Sequence, residues 1–104
     1  MKDLIEFRAD VLKAVAQSTR LKIIDFLRDG ERCVCEIFPA IGEAQSNTSR
    51  HLKMMQSAGV LSRRKDGLKI YYAIKHPEIL EVIDLVTDIV KQDIYGRHSL
   101  LKGA

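Results

Sequence analysis

The sequence of 104 residues predicts a mainly α-helical fold, five helices plus one β-hairpin. Three observations carry this expectation. Apolar residues recur at helical spacing through most of the chain. After Gly59 the pattern changes to a short apolar start and a β-branched, aromatic return, Lys69-Ile70-Tyr71-Tyr72-Ala73-Ile74. Between these stretches fall compact turn signals, Asp29-Gly30, Gly42, Gly59 and Lys65-Asp66-Gly67.

The elements follow in order. Leu4, Phe7, Val11 and Val15, with Ile5 and Leu12 beside them, predict an amphipathic first helix near 3–15. Gln17-Ser18-Thr19 interrupts it, and Ser18 is suited to cap a second helix carrying Leu21, Ile24 and Leu27, flanked by Ile23 and Phe26. Asp29-Gly30 closes that helix, with Gly30 at its left-handed end. A short third helix, about 33–41, holds Val34, Ile37, Phe38 and Ile41, and must accommodate Pro39 in an early turn or distort. Gly42 separates it from a fourth helix at about 45–57. Val60 to Arg64 and Lys69 to Ile74 form the hairpin, turned by Asp66-Gly67. Pro77 fits the first turn of a last helix, about 77–94, beyond which Tyr95–Ala104 reads as a fraying tail. Three consecutive helices followed by a hairpin make a winged helix-turn-helix, with the fourth helix as reader and the hairpin as a two-stranded wing.

The whole chain, 1–104, reads as a single domain. A hydrophobic share of 46% with 30% charged residues is globular composition. No run approaches the ~20 apolar residues of a bilayer span, and the start of the chain lacks a signal-peptide stretch, so the expected compartment is the cytoplasm with no membrane partner. Two cysteines do not make a secreted disulfide scaffold.

The formal charge of +3 is unevenly spread. Residues 1–44 are net −1 and residues 76–104 net −2. Residues 45–75 carry Arg50, Lys53, Arg63, Arg64, Lys65, Lys69 and Lys75 against Asp66 alone, net +6. A basic segment on a reading helix and wing suits double-stranded DNA. On the fourth helix Ala44, Thr48, Leu52 and Met55 share one side, with His51 at its border; Gln45, Ser46, Asn47, Ser49, Arg50 and Lys53 share the other. Amides read adenine edges, arginine reads guanine, and hydroxyls reach phosphate or base. The candidate DNA-contact set is therefore Gln45, Ser46, Asn47, Thr48, Ser49, Arg50, His51 and Lys53, with Arg63, Arg64, Lys65 and Lys69 of the wing on phosphate or in the minor groove. The last helix is apolar around much of its circumference, so the helices near 3–15 and 77–94 are expected to pair with a second copy as a homodimer.

Cys33-Val34-Cys35 opens the third helix. Within a regular helix, positions i and i+2 diverge, but at a helix start, before the backbone is helical, both sulfurs can converge. The helix N-terminus and Arg32 favour thiolate, and paired thiolates suit thiophilic ions. A different reading leaves Cys33 exposed and Cys35 as a small buried hydrophobe.

Cys33-Val34-Cys35-Glu36-Ile37 resembles the Cys-Val-Cys-Asp-Leu segment of arsenic-responsive repressors. Gln45 to Lys53 resembles the recognition helix of the same group, as do Ser18-Thr19-Arg20-Leu21-Lys22-Ile23-Ile24, Ala58-Gly59-Val60-Leu61 and Arg64-Lys65-Asp66-Gly67 with Tyr71-Tyr72. Over roughly residues 10–90 the chain is similar to the ArsR/SmtB family of winged-helix metalloregulators. That resemblance implies a homodimeric repressor that leaves its operator when an inducer binds. Here the ligands would be Cys33 and Cys35, the inducer trivalent arsenic or antimony or another thiophilic ion, and no cofactor would be required.

The chain departs from the family's patterns in places. Where the closest arsenite sensors have a third cysteine, this chain has Phe38. It lacks the N-terminal cysteines of cadmium and lead sensors. Asp84 is followed by Leu85 and Val86, and His98 stands alone, so the last-helix zinc pattern is absent. Two thiolates match a methylated trivalent arsenical, which has two exchangeable positions; inorganic arsenic needs a solvent or small-thiol third ligand. Drawing both sulfurs to one atom is expected to distort the third helix and shift the fourth. Thiol-redox sensing through a Cys33–Cys35 disulfide uses the same residues, and a protein-interaction module is the competing class. His51, His76 and His98 form no motif with the cysteines, so no enzyme is expected.

Overall fold

A computed structural model describes the backbone of residues 1–103 and the side chains of residues 1–96. Its elements run α1 (Leu4–Val15), α2 (Ser18–Phe26), β1 (Arg32–Cys33), α3 (Val34–Ile41), α4 (Gln45–Ser57), β2 (Leu61–Asp66), β3 (Lys69–Ile74) and α5 (Glu78–Gly103).

Each boundary has a local cause. Asp3 caps α1, its carboxylate accepting the Glu6 N–H at 2.8 Å. The cap of α2 is Gln17 rather than Ser18: the Gln17 side-chain oxygen accepts the Arg20 N–H at 2.9 Å, and Ser18 is already helical. The same helix ends at Phe26, earlier than Asp29-Gly30 would place it. A turn through residues 27–29 follows, and Gly30, at φ +138°, swings the chain into β1. Gly42 closes α3 in the left-handed region at φ +74°. Pro39 is the sixth of eight residues in α3, past its first turn. Lacking an N–H, it leaves the Cys35 carbonyl without its helical donor, and the helix stops two residues later.

The sheet has three strands, not the two of a bare hairpin, in the order β1-β3-β2 and antiparallel throughout. Asp66 pairs with Lys69, so the hairpin loop is Gly67-Leu68 rather than Asp66-Gly67. Gly67 has φ +62° and Leu68 a negative φ, the sense of a type II′ turn. β1 adds only Arg32 opposite Tyr72 and Cys33 opposite Tyr71. Its partner lies far along the chain, and two residues show no periodicity by which to read a strand.

The core gathers Ile23, Ile24 and Leu27 of the α2 region, Ile37 and Ile41 of α3, Leu52 and Met55 of α4, and Leu61 and Tyr72 of the sheet. Helices α1 and α5 contribute sparingly, through Ala14, Val15 and Ile79. Leu4, Ile5, Phe7 and Leu12 of α1 are exposed, as are Leu85, Val86, Ile89 and Val90 of α5. Instead of fraying after residue 94, α5 continues through Gly103; the side chain of His98 and residue 104 lie outside the described residues. Among the described residues, no helix is long and apolar enough to cross a membrane.

Candidate functional site

Helix α4 presents a largely polar outer face because Leu52 and Met55 are spent on the core, while Met54 stays exposed. Leu52 and Met55 are fully buried, while Gln45, Ser46, Arg50 and Lys53 are exposed and Asn47 and Ser49 half-buried. Two sequence candidates leave that face. Thr48 is fully buried, one helical turn before Leu52. His51 is also buried, and its Nδ1 accepts the Arg20 Nε–H at 3.1 Å. Ala44, placed inward by periodicity, is exposed as the N-cap of α4 and offers no side-chain acceptor. The first N–H groups of α4 therefore keep their capacity to meet a phosphate.

Glu43, just before the helix, is a residue that reading for donors alone misses. Its Oε2 accepts from Asn47 Nδ2 at 3.0 Å and its Oε1 from the Thr19 hydroxyl at 3.5 Å. Arg50 Nη2 donates to Asn47 Oδ1 at 2.6 Å. Asn47 is thus held between an acid and a cation, with its amide orientation set by both.

The wing cations divide into two groups. Arg63, Lys65 and Lys69 are exposed. Arg64 instead donates from Nε and Nη2 to both oxygens of Glu31, at 3.0 and 2.7 Å, and lies 4.5 Å over the Tyr71 ring. The hydrogen bonds from Arg64 hold the Glu31 carboxyl below its ordinary pKa, and Glu31 in turn raises that of Arg64. Arg64 ties the wing to the segment entering β1. It is not a free phosphate ligand in this structure.

Cys33 and Cys35 meet where β1 becomes α3. Cys33 is the N-cap, with extended φ and ψ, which turns its side chain back over the first turn. Its sulfur accepts the Cys35 N–H at 3.2 Å, while its own N–H donates to Glu36 Oε1 at 3.3 Å, completing a capping box. The two sulfurs are bonded to each other, across a Cα separation of 5.1 Å. The burial is the reverse of the simple packing alternative: Cys33 is 4% exposed and Cys35 faces outward. Among the described residues, no group of three His, Cys, Asp or Glu side chains is placed to hold a metal ion.

A cavity of about 330 Å³ opens beside the pair. Its walls include Cys33 and Cys35, Ser49 and Lys53 of α4, and Arg63 and Lys69 of the wing. The cysteine pair and the cations of α4 and the wing therefore share one hollow, which sequence spacing alone could not reveal.

Residues 17–63 match the family described as bacterial regulatory protein, arsR family. An uncharacterized HTH-type transcriptional regulator of Methanocaldococcus jannaschii is 34% identical over 85 residues, covering 81% of this chain and 96% of that protein. The chain belongs to the ArsR family. The arsenic resistance transcriptional regulator ArsR1 of Pseudomonas putida is 39% identical over 75 residues, 71% of this chain and 58% of that longer protein. Among solved structures, the homodimeric winged helix-turn-helix DNA-binding domain Mb0332 of Mycobacterium bovis superposes with a TM-score of 0.79 at 32% identity, covering 88% of this chain and 84% of that one. The fold is thus that of ArsR-family DNA-binding transcriptional regulators.

Proposed function

We propose that this ArsR-family chain is a homodimeric repressor that grips an operator through α4 and the wing and is released when a thiophilic inducer binds Cys33 and Cys35. The observation that carries the reading is the convergence of both sulfurs, at the N-cap of α3, on a cavity that also contains Ser49, Lys53, Arg63 and Lys69. Gln45, Ser46, Asn47, Ser49 and Arg50 read the major groove, and Lys53, Arg63, Lys65 and Lys69 meet phosphate. The inducer is a trivalent arsenical or antimonial, in keeping with the arsenic-resistance role named for the Pseudomonas relative. A methylated trivalent arsenical is satisfied by two thiolates; the inorganic ion takes a further ligand from solution.

The exposed apolar faces of α1 and α5 support the dimer. They flank a groove of about 670 Å³ lined by Leu12, Leu21, Val82, Val86 and Val90, an apolar surface that a second copy would cover. A two-fold pair sets two α4 helices about 34 Å apart, one turn of duplex.

Release has two routes from the cysteines. Reshaping the first turn of α3 moves α4, which packs against it. Cys33 is also paired with Tyr71 in the sheet, so the same event pulls on the wing. A coupling of about 1–3 kcal/mol weakens DNA binding roughly 5–150-fold.

Fluorescence anisotropy on duplex DNA selected by the protein from a random pool tests this reading. Methylarsenite and arsenite are titrated against the complex of the reduced protein, in which the Cys33–Cys35 bond has been opened to two thiols, with Cys33→Ser and Cys35→Ser as controls. Release of the wild type and indifference of both variants are expected. A wild-type complex untouched by either arsenical rules the inducer out. The Cys33–Cys35 disulfide favours a second reading, release on oxidation, which diamide reversed by a reductant would reveal in the same assay.

A further inference from the structure

The two cysteines differ in a way that neither metal binding nor simple oxidation uses. Cys33 is buried, and its sulfur sits at the positive end of α3 as acceptor of the Cys35 N–H at 3.2 Å. Cys35 is exposed. In thiol–disulfide exchange, one sulfur of a disulfide is attacked and the other leaves as thiolate. Here the roles are assigned by position: the exposed residue of the pair is Cys35, and the sulfur with a waiting N–H donor and a favourable helix end is that of Cys33.

The cavity against the pair adds a second selection. Among the described residues, its lining includes Lys53, Arg63 and Lys69 and no carboxylate. A small molecule that enters to reach Cys35 therefore meets three cations and gains from carrying negative charge.

We propose that this cavity is a binding site for an anionic low-molecular-weight thiol, which opens the Cys33–Cys35 disulfide and remains attached to Cys35. The incoming thiolate, its proton already lost to solvent, forms a bond to the Cys35 sulfur. The bond between Cys33 and Cys35 breaks, and its electron pair passes to the Cys33 sulfur, which becomes a thiolate. One disulfide replaces another, so no outside oxidant or reductant enters. The carboxylates of the attached molecule lie against Lys53, Arg63 and Lys69, the groups that the proposed function assigns to DNA phosphate. Only this last consequence, mutual exclusion of adduct and DNA, rests on that reading.

The test uses the full chain oxidised with diamide and mixed with three thiols: glutathione, which carries net negative charge, neutral 2-mercaptoethanol, and cationic cysteamine. Acid quenching and intact mass follow the mixed disulfide, with rates corrected for the thiolate fraction of each reagent. Glutathione is expected to react at least ~10-fold faster per thiolate than cysteamine at low salt. That advantage should collapse at high salt and in a Lys53→Gln, Arg63→Gln, Lys69→Gln triple variant, whose folding is checked by circular dichroism. Peptide mapping should place the adduct on Cys35. Equal rates for the three thiols, an adduct on Cys33, a triple variant that keeps the preference, or failure to form the intramolecular disulfide each overturn the proposal. Anisotropy of the reduced protein on its selected duplex measures DNA binding separately, so the two proposals fail by different signals.

Discussion

Arg20 donates its Nε–H to Nδ1 of His51 across 3.1 Å, joining α2 to the inner side of α4. The same guanidinium reaches the Lys13 carbonyl of α1 at 3.1 Å and the Met54 sulfur of α4 at 3.2 Å. One side chain thus connects α1, part of the proposed dimer surface, to α4.

Nδ1 of His51 accepts a hydrogen bond only while it carries no proton. Burial, followed by the nearby Arg20 and Arg50 charges, lowers the His51 pKa below the usual histidine value, with Glu43 opposing. The unfolded chain therefore takes up this proton first as pH falls. The contribution to stability is complete above ~6.5, the ordinary histidine value, and declines as pH drops below it toward the folded pKa. Urea unfolding between pH 7.5 and 5 should show this loss, and His51→Asn, which keeps an acceptor without the titration, should remove that component. Identical pH profiles for the two proteins would refute the assignment.

Replacing Arg20 by alanine leaves Nδ1 of buried His51 unpartnered. An unsatisfied buried polar group costs about 1–3 kcal/mol. Chemical denaturation should register a loss of that size. Arg20→Lys should recover little of it, because an ammonium does not reproduce the fork that serves three acceptors.

Thr48 is fully buried, and its hydroxyl finds no partner among the described residues. Thr48→Val removes an unpaired polar atom while keeping nearly the same shape. Thermal unfolding should show unchanged or raised stability, by up to ~1 kcal/mol. DNA affinity should stay as it was. A large affinity loss in a stably folded variant would return Thr48 to the reading surface.

Cys33 acts as a helix cap as well as a thiol, and serine is a good N-cap. Cys33→Ser in the reduced protein should therefore cost a few tenths of a kcal/mol at most, and Cys33→Ala about 1 kcal/mol. Comparing the two by urea denaturation separates the structural role from any chemistry of the sulfur.

Phosphate contacts set the salt dependence of DNA binding, with a slope near −0.9 per neutralised phosphate. Lys53→Ala and Arg63→Ala should each flatten the slope by roughly one. Arg64→Ala should change it less, because Arg64 is already occupied by Glu31. Anisotropy across a salt series provides the measurement.

The bounds of α4 were legible because Gly42 and Gly59 bracket it and its inward residues keep strict spacing. The hairpin was legible from Tyr71-Tyr72 and the Gly67 turn. Arg64 with Glu31, Arg20 with His51, and β1 with β3 were not. Each joins residues about thirty or more positions apart, and nothing local in Arg64 distinguishes a cation held by an acid from one left for DNA. The cysteines show the same limit. Their spacing predicts that they can meet, but which of them is buried depends on β1, whose partner strand comes nearly forty residues later.

That two-residue strand has a thermodynamic corollary. Because Cys33 lies in register with Tyr71, the cysteine pair and the wing belong to one ladder. If a ligand on the cysteines loosens the grip on DNA by some factor, then by reciprocity DNA weakens the hold on that ligand by the same factor. Under the proposed function, the operator would thereby be an antagonist of the inducer. A chain resting on its operator would then need a higher inducer concentration than one free in solution, and the response threshold would depend on how much of the protein is already on DNA.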